Sequence, residues 1–428
     1  MAGELLQRRH RLLGQHAPLF YEEPLEIVSG DGVWLTSADG RCYLDVYNNV
    51  PSCGHCHPHI IAALTGQASR LNVHTRYLHN TILDYVERLT ALFDPSLDMA
   101  MLTCSGSEAN ELALRMVRHM TGHQGIIVTD GAYHGNTEAV AELGTGFMPE
   151  AEGCQRVVGI PAPDSYRLPP GVTTETAEDY YVAQVESAIE TLQSRGMGVA
   201  GILLCPEFAN EGLLNAPEGF IDRAVAAVRA AGGLYIADEV QGGFGRTGHH
   251  WWSHQRYESV PDVVTLGKPM GNGHPLAGVI ARRDLVEPFS ATAMYFNTFA
   301  GNPVSCAVGM AVLDVIEQEG LMANAVSTGA YVKAGLDKLA LASTAIGDVR
   351  QKGLFFGVEL VSDPATRAPD TRLAKQVVNQ LKDRGVLISS IGQHNNVLKM
   401  RPPLPFGPEH GDILLAALGE VLLETDTP

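Results

Sequence analysis

Residues 234–248 read Leu234-Tyr-Ile-Ala-Asp238-Glu-Val-Gln241-Gly-Gly-Phe-Gly-Arg246-Thr-Gly248, and residues 263–273 read Val263-Val-Thr-Leu-Gly267-Lys268-Pro-Met-Gly-Asn-Gly273. Each is a short apolar run that ends at a charged residue and a cluster of glycines. That is the pattern of a buried parallel strand opening onto a ligand crevice at its carboxyl end. Lys268 stands between Gly267 and Pro269, so its amine is expected on a sharply turned segment that a ligand can approach closely. An acid on one strand end and a lone lysine on the next suit pyridoxal phosphate. Lys268 would carry the cofactor as a Schiff base, and Asp238 would keep the pyridine nitrogen protonated so that the ring accepts electrons.

Working outward, strands are predicted near residues 100–104, 125–130, 156–160, 200–205, 234–238, 263–266 and 276–281, with helices after most of them. Such alternation predicts an α/β chain with a large, doubly wound, mostly parallel seven-stranded sheet. Upstream, a helix (4–16), two strands (27–36 and 42–47) across an Asp39-Gly40 turn and helices over 58–72 and 81–93 are expected. Downstream, helices over 304–317 and 322–341 precede an α+β pattern. It comprises a strand (353–361), a helix (371–384), strands at 386–389 and 397–400, and a closing helix from Pro408. The expected organisation is a large cofactor-binding domain over 58–303 and a smaller α+β domain. The smaller one is built from an N-terminal segment (1–57) and a C-terminal one (304–428).

The chain has 428 residues, 45% of them hydrophobic, enough for an ample core. A net charge of −18 argues against nucleic-acid or anionic-membrane surfaces, so any cationic pocket must be local. No run of some eighteen apolar residues occurs, and the Arg-rich N-terminus lacks the apolar core of a signal peptide, so a cytoplasmic location is expected. Seven scattered cysteines fit reduced thiols. Cys53-Gly-His55-Cys56, with His57 and His59, lacks the second ligand pair of a structural zinc site. It reads instead as a turn opening a helix at Pro58, and no metal is expected.

Ser105-Gly106-Ser107 follows a strand and begins a helix, so it reads either as a phosphate cradle at the helix N-terminus or as a plain cap. Tyr133-His134-Gly135 stands just past the next strand, where a flat ring either covers a cofactor or packs in the core. These segments, together with Gly54-His-Cys-His-Pro58, Ala237–Gly248, Thr265-Leu-Gly-Lys268 and Asn297-Thr298, resemble the class III, fold type I aminotransferase family over nearly the whole chain. The resemblance implies that Ser105, Gly106 and Ser107 bind the cofactor phosphate, Tyr133 and His134 lie at the ring, Asp238 pairs with its nitrogen, Gln241 approaches its phenolic oxygen and Lys268 attaches to it. It also places Glu207 near the cofactor and implies a homodimer in which Thr298 reaches the neighbouring subunit's cofactor phosphate.

Asn48-Asn49-Val50, Thr75-Arg76-Tyr77-Leu-His79, Gly267–Pro275, Phe296–Cys306 and Val397-Leu-Lys-Met-Arg401-Pro-Pro403 resemble one branch of that family, the phospho-lyases acting on ethanolamine phosphate or phosphohydroxylysine. The expected reaction is loss of phosphate from ethanolamine phosphate, giving acetaldehyde and ammonia. A guanidinium suits a substrate phosphate, so Arg76 is the main candidate, then Arg401, with Tyr77, His79 and Asn49 as neighbours and Phe20-Tyr21 as a possible pocket wall. Two alternatives stay open: an ω-aminotransferase, in which Arg401 would hold a carboxylate, and a non-catalytic cofactor-binding protein. In the aminotransferases a glutamate neutralises that arginine. Here Glu211 departs from the usual spacing, which would leave Arg401 unneutralised in a site that always meets an anion.

Overall fold

A computed structural model describes residues 2–425. All seven expected large-domain strands lie in one sheet, in the spatial order Met99–Thr103, Ala277–Ala281, Val263–Leu266, Leu234–Asp238, Val199–Leu204, Gly125–Thr129, Val157–Ile160. Only Ala277–Ala281 runs antiparallel to its neighbours. Four of these strands, at 125–129, 199–204, 263–266 and 277–281, are buried at every residue. Helices therefore cover both faces, which explains why the strands read as unbroken apolar runs rather than as alternation.

One covering helix, Gly106–Thr121, shows how the site is tied to this core. It buries Leu112, Leu114, Met116 and Val117, each worth roughly 1.5–3 kcal/mol. Asn110 shares the buried side, where its amide donates to His134 O (2.7 Å) and Asp238 Oδ2 (3.1 Å) and accepts from Thr265 Oγ1 (2.7 Å). The polar exception on an apolar helix face is thus fully bonded, and it welds the helix to both site strands.

Two other sheets flank this layer. Strands Ile27–Asp31, Trp34–Ser37 and Cys42–Asp45 form a meander whose last member pairs in parallel with Val386–Leu387, so the two ends of the chain share a sheet. Ile346–Gln351, Phe356–Asp363, Val397–Met400 and Ser389–Ile391 form the other, with Ala368–Pro369 beside it. Two expected strands are corrected. The run 27–36 is broken by a two-residue hairpin at Gly32, whose φ of +56° suits the first central position of such a turn. The strand expected over 353–361 begins at Phe356, because Gly353 (φ +58°) makes a turn back to an additional strand, Ile346–Gln351. No helix among the described residues is long and apolar enough to cross a membrane.

Candidate active site

Strand register brings Asp238 and Lys268 together. Leu234–Asp238 and Val263–Leu266 run parallel with Asp238 opposite Thr265, so the chain leaving the second strand turns across the end of the first. Lys268 opens a short helical turn in a left-handed conformation (φ +36°), and Asn272 closes it at +47°. Such backbones cost non-glycine residues about 1–2 kcal/mol. The Asn272 amide holds the turn by donating to Gly54 O (3.0 Å) and accepting from Cys53 N (2.7 Å). The Gly54-His-Cys-His-Pro58 segment is therefore a clamp on the lysine turn. Its histidines are spent elsewhere, His55 on Asp45 (2.7 Å), His57 on Glu319 (2.8 Å) and His59 on Asp314 (3.1 Å).

Asp238 is fully enclosed and bonded at both oxygens: Oδ2 to His134 Nδ1 (2.6 Å) and Asn110, Oδ1 to Val240 N (3.0 Å). Burial works to raise its carboxyl, but His134, the Val240 N–H and Lys268 outweigh it and hold Asp238 below the ordinary carboxylate range. Lys268 is pulled the other way from its usual state, from 10.5 to about 8, by burial first and then by the Arg401 charge. An acid kept ionised beside an amine kept partly neutral is the pairing a cofactor-attaching lysine needs.

A cavity of about 230 Å³ lies at this pair, walled by Gly106, Ser107, Tyr133, His134 and Gln241. The Ser-Gly-Ser turn is a helix cap that also leaves donors free. Ser105 caps the helix through Glu108 N (3.2 Å), while Gly106 and Ser107 carry first-turn N–H groups that a helix leaves unpaired. Gly135, at φ +143°, packs so tightly on this turn that a Cβ would lie 2.5 Å from Ser107 Oγ. Tyr133 stands half-exposed over the cavity with its carbonyl held by Asn210 Nδ2 (3.1 Å).

Gln241 Oε1 accepts from Lys399 Nζ (3.0 Å) and from Arg401 Nη1. Cations only donate, so they fix which amide atom faces them and turn the Gln241 NH2 the other way. Lys399 was not expected. It lies two residues before Arg401 along a strand and hence on the same face, and that spacing was the signal available for it. Both cations are buried and, among the described residues, neither has a carboxylate within ion-pair distance. Burial lowers the pKa of both, and the Arg401 charge pushes Lys399 down further.

The remaining expected residues are dispersed. Glu211 is buried on Thr129 Oγ1 (2.5 Å) and Asn210 N (3.0 Å), and burial raises its pKa. Glu207 does not line the cavity; its carboxylate pairs with Lys352 (2.9 Å) and Arg256 (3.4 Å). Arg76 is exposed, 3.7 Å over the Phe296 ring, and the exposed Tyr77 stacks on His74. His79 caps the helix Asn80–Thr90. Thr298 is exposed. Asn49 is completely buried with neither end of its amide bonded. Phe20 packs on Tyr47, whose ring lies under Arg401, and Tyr21 bonds Ile388 O (3.2 Å).

An ionised, enclosed carboxylate, a lysine of lowered basicity, an unpaired helix N-terminus and an amide NH2 fit the nitrogen, aldehyde, phosphate and phenolic oxygen of pyridoxal phosphate. The class-III aminotransferase model matches residues 20–422. A phospholyase from Arthrobacter, solved in complex with phosphoethanolamine, superposes with a TM-score of 0.95 at 47% identity, covering 99% of this chain and 100% of that one. The ethanolamine-phosphate phospho-lyase homolog 1 of Caenorhabditis elegans is 34% identical over 98% of this chain and 93% of its own. An alanine–glyoxylate aminotransferase 2-like protein of Drosophila melanogaster is 38% identical over 98% and 87%. The chain belongs to the class-III aminotransferase family and is a fold type I enzyme that uses pyridoxal 5′-phosphate.

Proposed function

We propose that this enzyme is a phospho-lyase that removes phosphate from ethanolamine phosphate or a closely related phosphorylated amine. The observation that carries this reading is the buried Arg401 guanidinium with no carboxylate partner among the described residues, while Glu211 is spent on Thr129 and Asn210. A buried, unpaired cation is costly, and a substrate that always brings an anion offsets that cost in every cycle. The Arthrobacter phospholyase, which holds phosphoethanolamine, supports the same reading.

Bound pyridoxal phosphate supplies an electron sink for the pair left when the carbon bearing nitrogen loses its proton. With that group bound, Lys268 would be the amine that the substrate displaces and then the base that takes this proton. Asp238, held ionised by His134 and Val240 N, keeps a proton on the ring nitrogen. The Gln241 NH2, turned away from Lys399 and Arg401, would be the donor for the phenolic oxygen. Arg401 stabilises the phosphate as its bond to the adjacent carbon breaks. Lys268 then returns, and the released enamine hydrolyses to acetaldehyde and ammonia without any keto acid.

A second reading, amino transfer to a keto acid, is favoured by the aminotransferase-named relative and by Arg401, which also suits a carboxylate. Both share each step through proton removal. The proposed assembly is a homodimer in which Thr298 and the exposed Arg76 segment meet the partner's site. The exposed Leu78, Met294 and Phe299 beside them give such a contact its apolar surface. The deciding assay measures inorganic phosphate released from ethanolamine phosphate with no keto acid present. Release at a constant rate is expected, and a strict keto-acid requirement sinks the lyase reading. If Arg76 serves the substrate site, Arg76→Ala should impair phosphorylated amines far more than simple ones; equal losses remove it.

A further inference from the structure

We infer that Lys399 is the second cation of the substrate subsite and makes it selective for a dianionic phosphoryl group over a carboxylate. The inference rests on the phosphorylated-amine reading above and names the residue that confers it. Lys399 and Arg401 share one face of the strand end, joined through Gln241 Oε1, to which Lys399 Nζ donates at 3.0 Å. Both are buried. Their other contacts are neutral: Lys399 Nζ to Asn210 Oδ1 (3.2 Å) and Arg401 Nε to Tyr47 O (3.2 Å). A monoanionic carboxylate matches one guanidinium. A buried guanidinium and, beside it, an amine that burial and the Arg401 charge push towards its neutral form are both satisfied by a ligand carrying two charges and three acceptor oxygens, which favours the protonated amine.

The cofactor's own phosphate does not fill this role. In pyridoxal phosphate the phosphate arm and the phenolic oxygen flank the aldehyde carbon on opposite sides, and the Gly106–Ser107 turn suits the arm. The family resemblance assigns Gln241 to the phenolic side; Gln241 lines the cavity, and Lys399 and Arg401 meet its Oε1 from outside that lining. A neighbouring stretch of chain carries another polar group without a partner. Asn49, fully buried two residues from the Tyr47 carbonyl that holds Arg401, has both amide ends unbonded. Buried amides are bonded as a rule, and a phosphoryl oxygen or its water is a fitting partner.

The test uses two ligands that differ only in their acid: 3-aminopropylphosphonate, in which a methylene replaces the bridging oxygen of ethanolamine phosphate so that nothing can leave, and 4-aminobutyrate. Each is titrated into holoenzyme and followed by cofactor absorbance. Wild-type should bind the phosphonate at least 10-fold more tightly than the carboxylate. Lys399→Met should weaken phosphonate binding at least 10-fold while changing 4-aminobutyrate less than 3-fold, and Lys399→Arg should retain most of the preference. An undiminished preference in Lys399→Met, or an equal loss for both ligands, overturns the inference. Phosphate release by wild-type, measured separately, reports on the lyase reading, so either idea can fail while the other stands.

Discussion

The Lys268 amine is pulled from 10.5 to about 8, first by burial and then by Arg401, against the opposing pull of Asp238. At pH 7 such a lysine is ~10% neutral, against ~0.03% for an unperturbed one, a gain of about 300-fold in attacking amine. The neutral fraction grows as pH rises and saturates beyond the midpoint. Cofactor attachment to the apoenzyme should therefore speed up about tenfold per pH unit below about pH 7 and level off above about pH 9. The assay mixes apoenzyme with pyridoxal phosphate across this range and follows the long-wavelength absorbance. Rates are divided by those of a simple alkylamine expressed per mole of its neutral form, which cancels the cofactor's own ionisation and leaves that of Lys268. Arg401→Met removes a neighbouring positive charge but leaves the burial, so its midpoint should move upward. A wild-type rate that climbs unabated past pH 10 would refute the reasoning.

Asp238→Asn keeps the shape but loses the charge that holds a proton on the ring nitrogen; kcat should fall about 10²–10⁴-fold with the cofactor still attached, and near-normal turnover in steady-state assays counts against the assigned role. Gly135→Ala places a methyl 2.5 Å from Ser107 Oγ at a φ of +143°, so cofactor affinity, measured by equilibrium titration, should drop at least 10-fold, with about 1–3 kcal/mol of overpacking strain. Glu207→Gln leaves the partly buried Lys352 with only the Leu214 carbonyl (3.0 Å) and should destabilise the protein by about 1–3 kcal/mol in denaturant titration. Arg256, nearly half exposed, should contribute little to that loss. Because Glu207 does not line the cavity, cofactor affinity should stay unchanged in the same variant.

Local pattern was enough for the large sheet because each of its strands is a self-contained apolar run bounded by turn residues, and runs of four to six residues are too short for buried helices. The hairpin at Gly32 and the added strand at Ile346–Gln351 were missed for the complementary reason. Both depend on a single glycine at positive φ inside an otherwise strand-like stretch, and composition does not reveal which glycine takes that conformation. The function of Asn110 follows only from three partners on three different segments.

From residues alone, the chain determined the α/β architecture, the placing of Asp238 and Lys268 on adjacent strand ends and the helix-opening turn at Gly106–Ser107, because each lies within a few residues of a strand end. Tertiary structure decided everything that depends on long-range approach. It set Glu207 on Lys352 and Arg256, Glu211 on Thr129, and Arg76 on an exposed ring. It also carried Lys399 and Arg401, more than 150 residues along the chain, to the oxygen of Gln241. Sequence specifies which groups a segment offers; whether a buried charge finds a partner depends on what the rest of the chain packs against it.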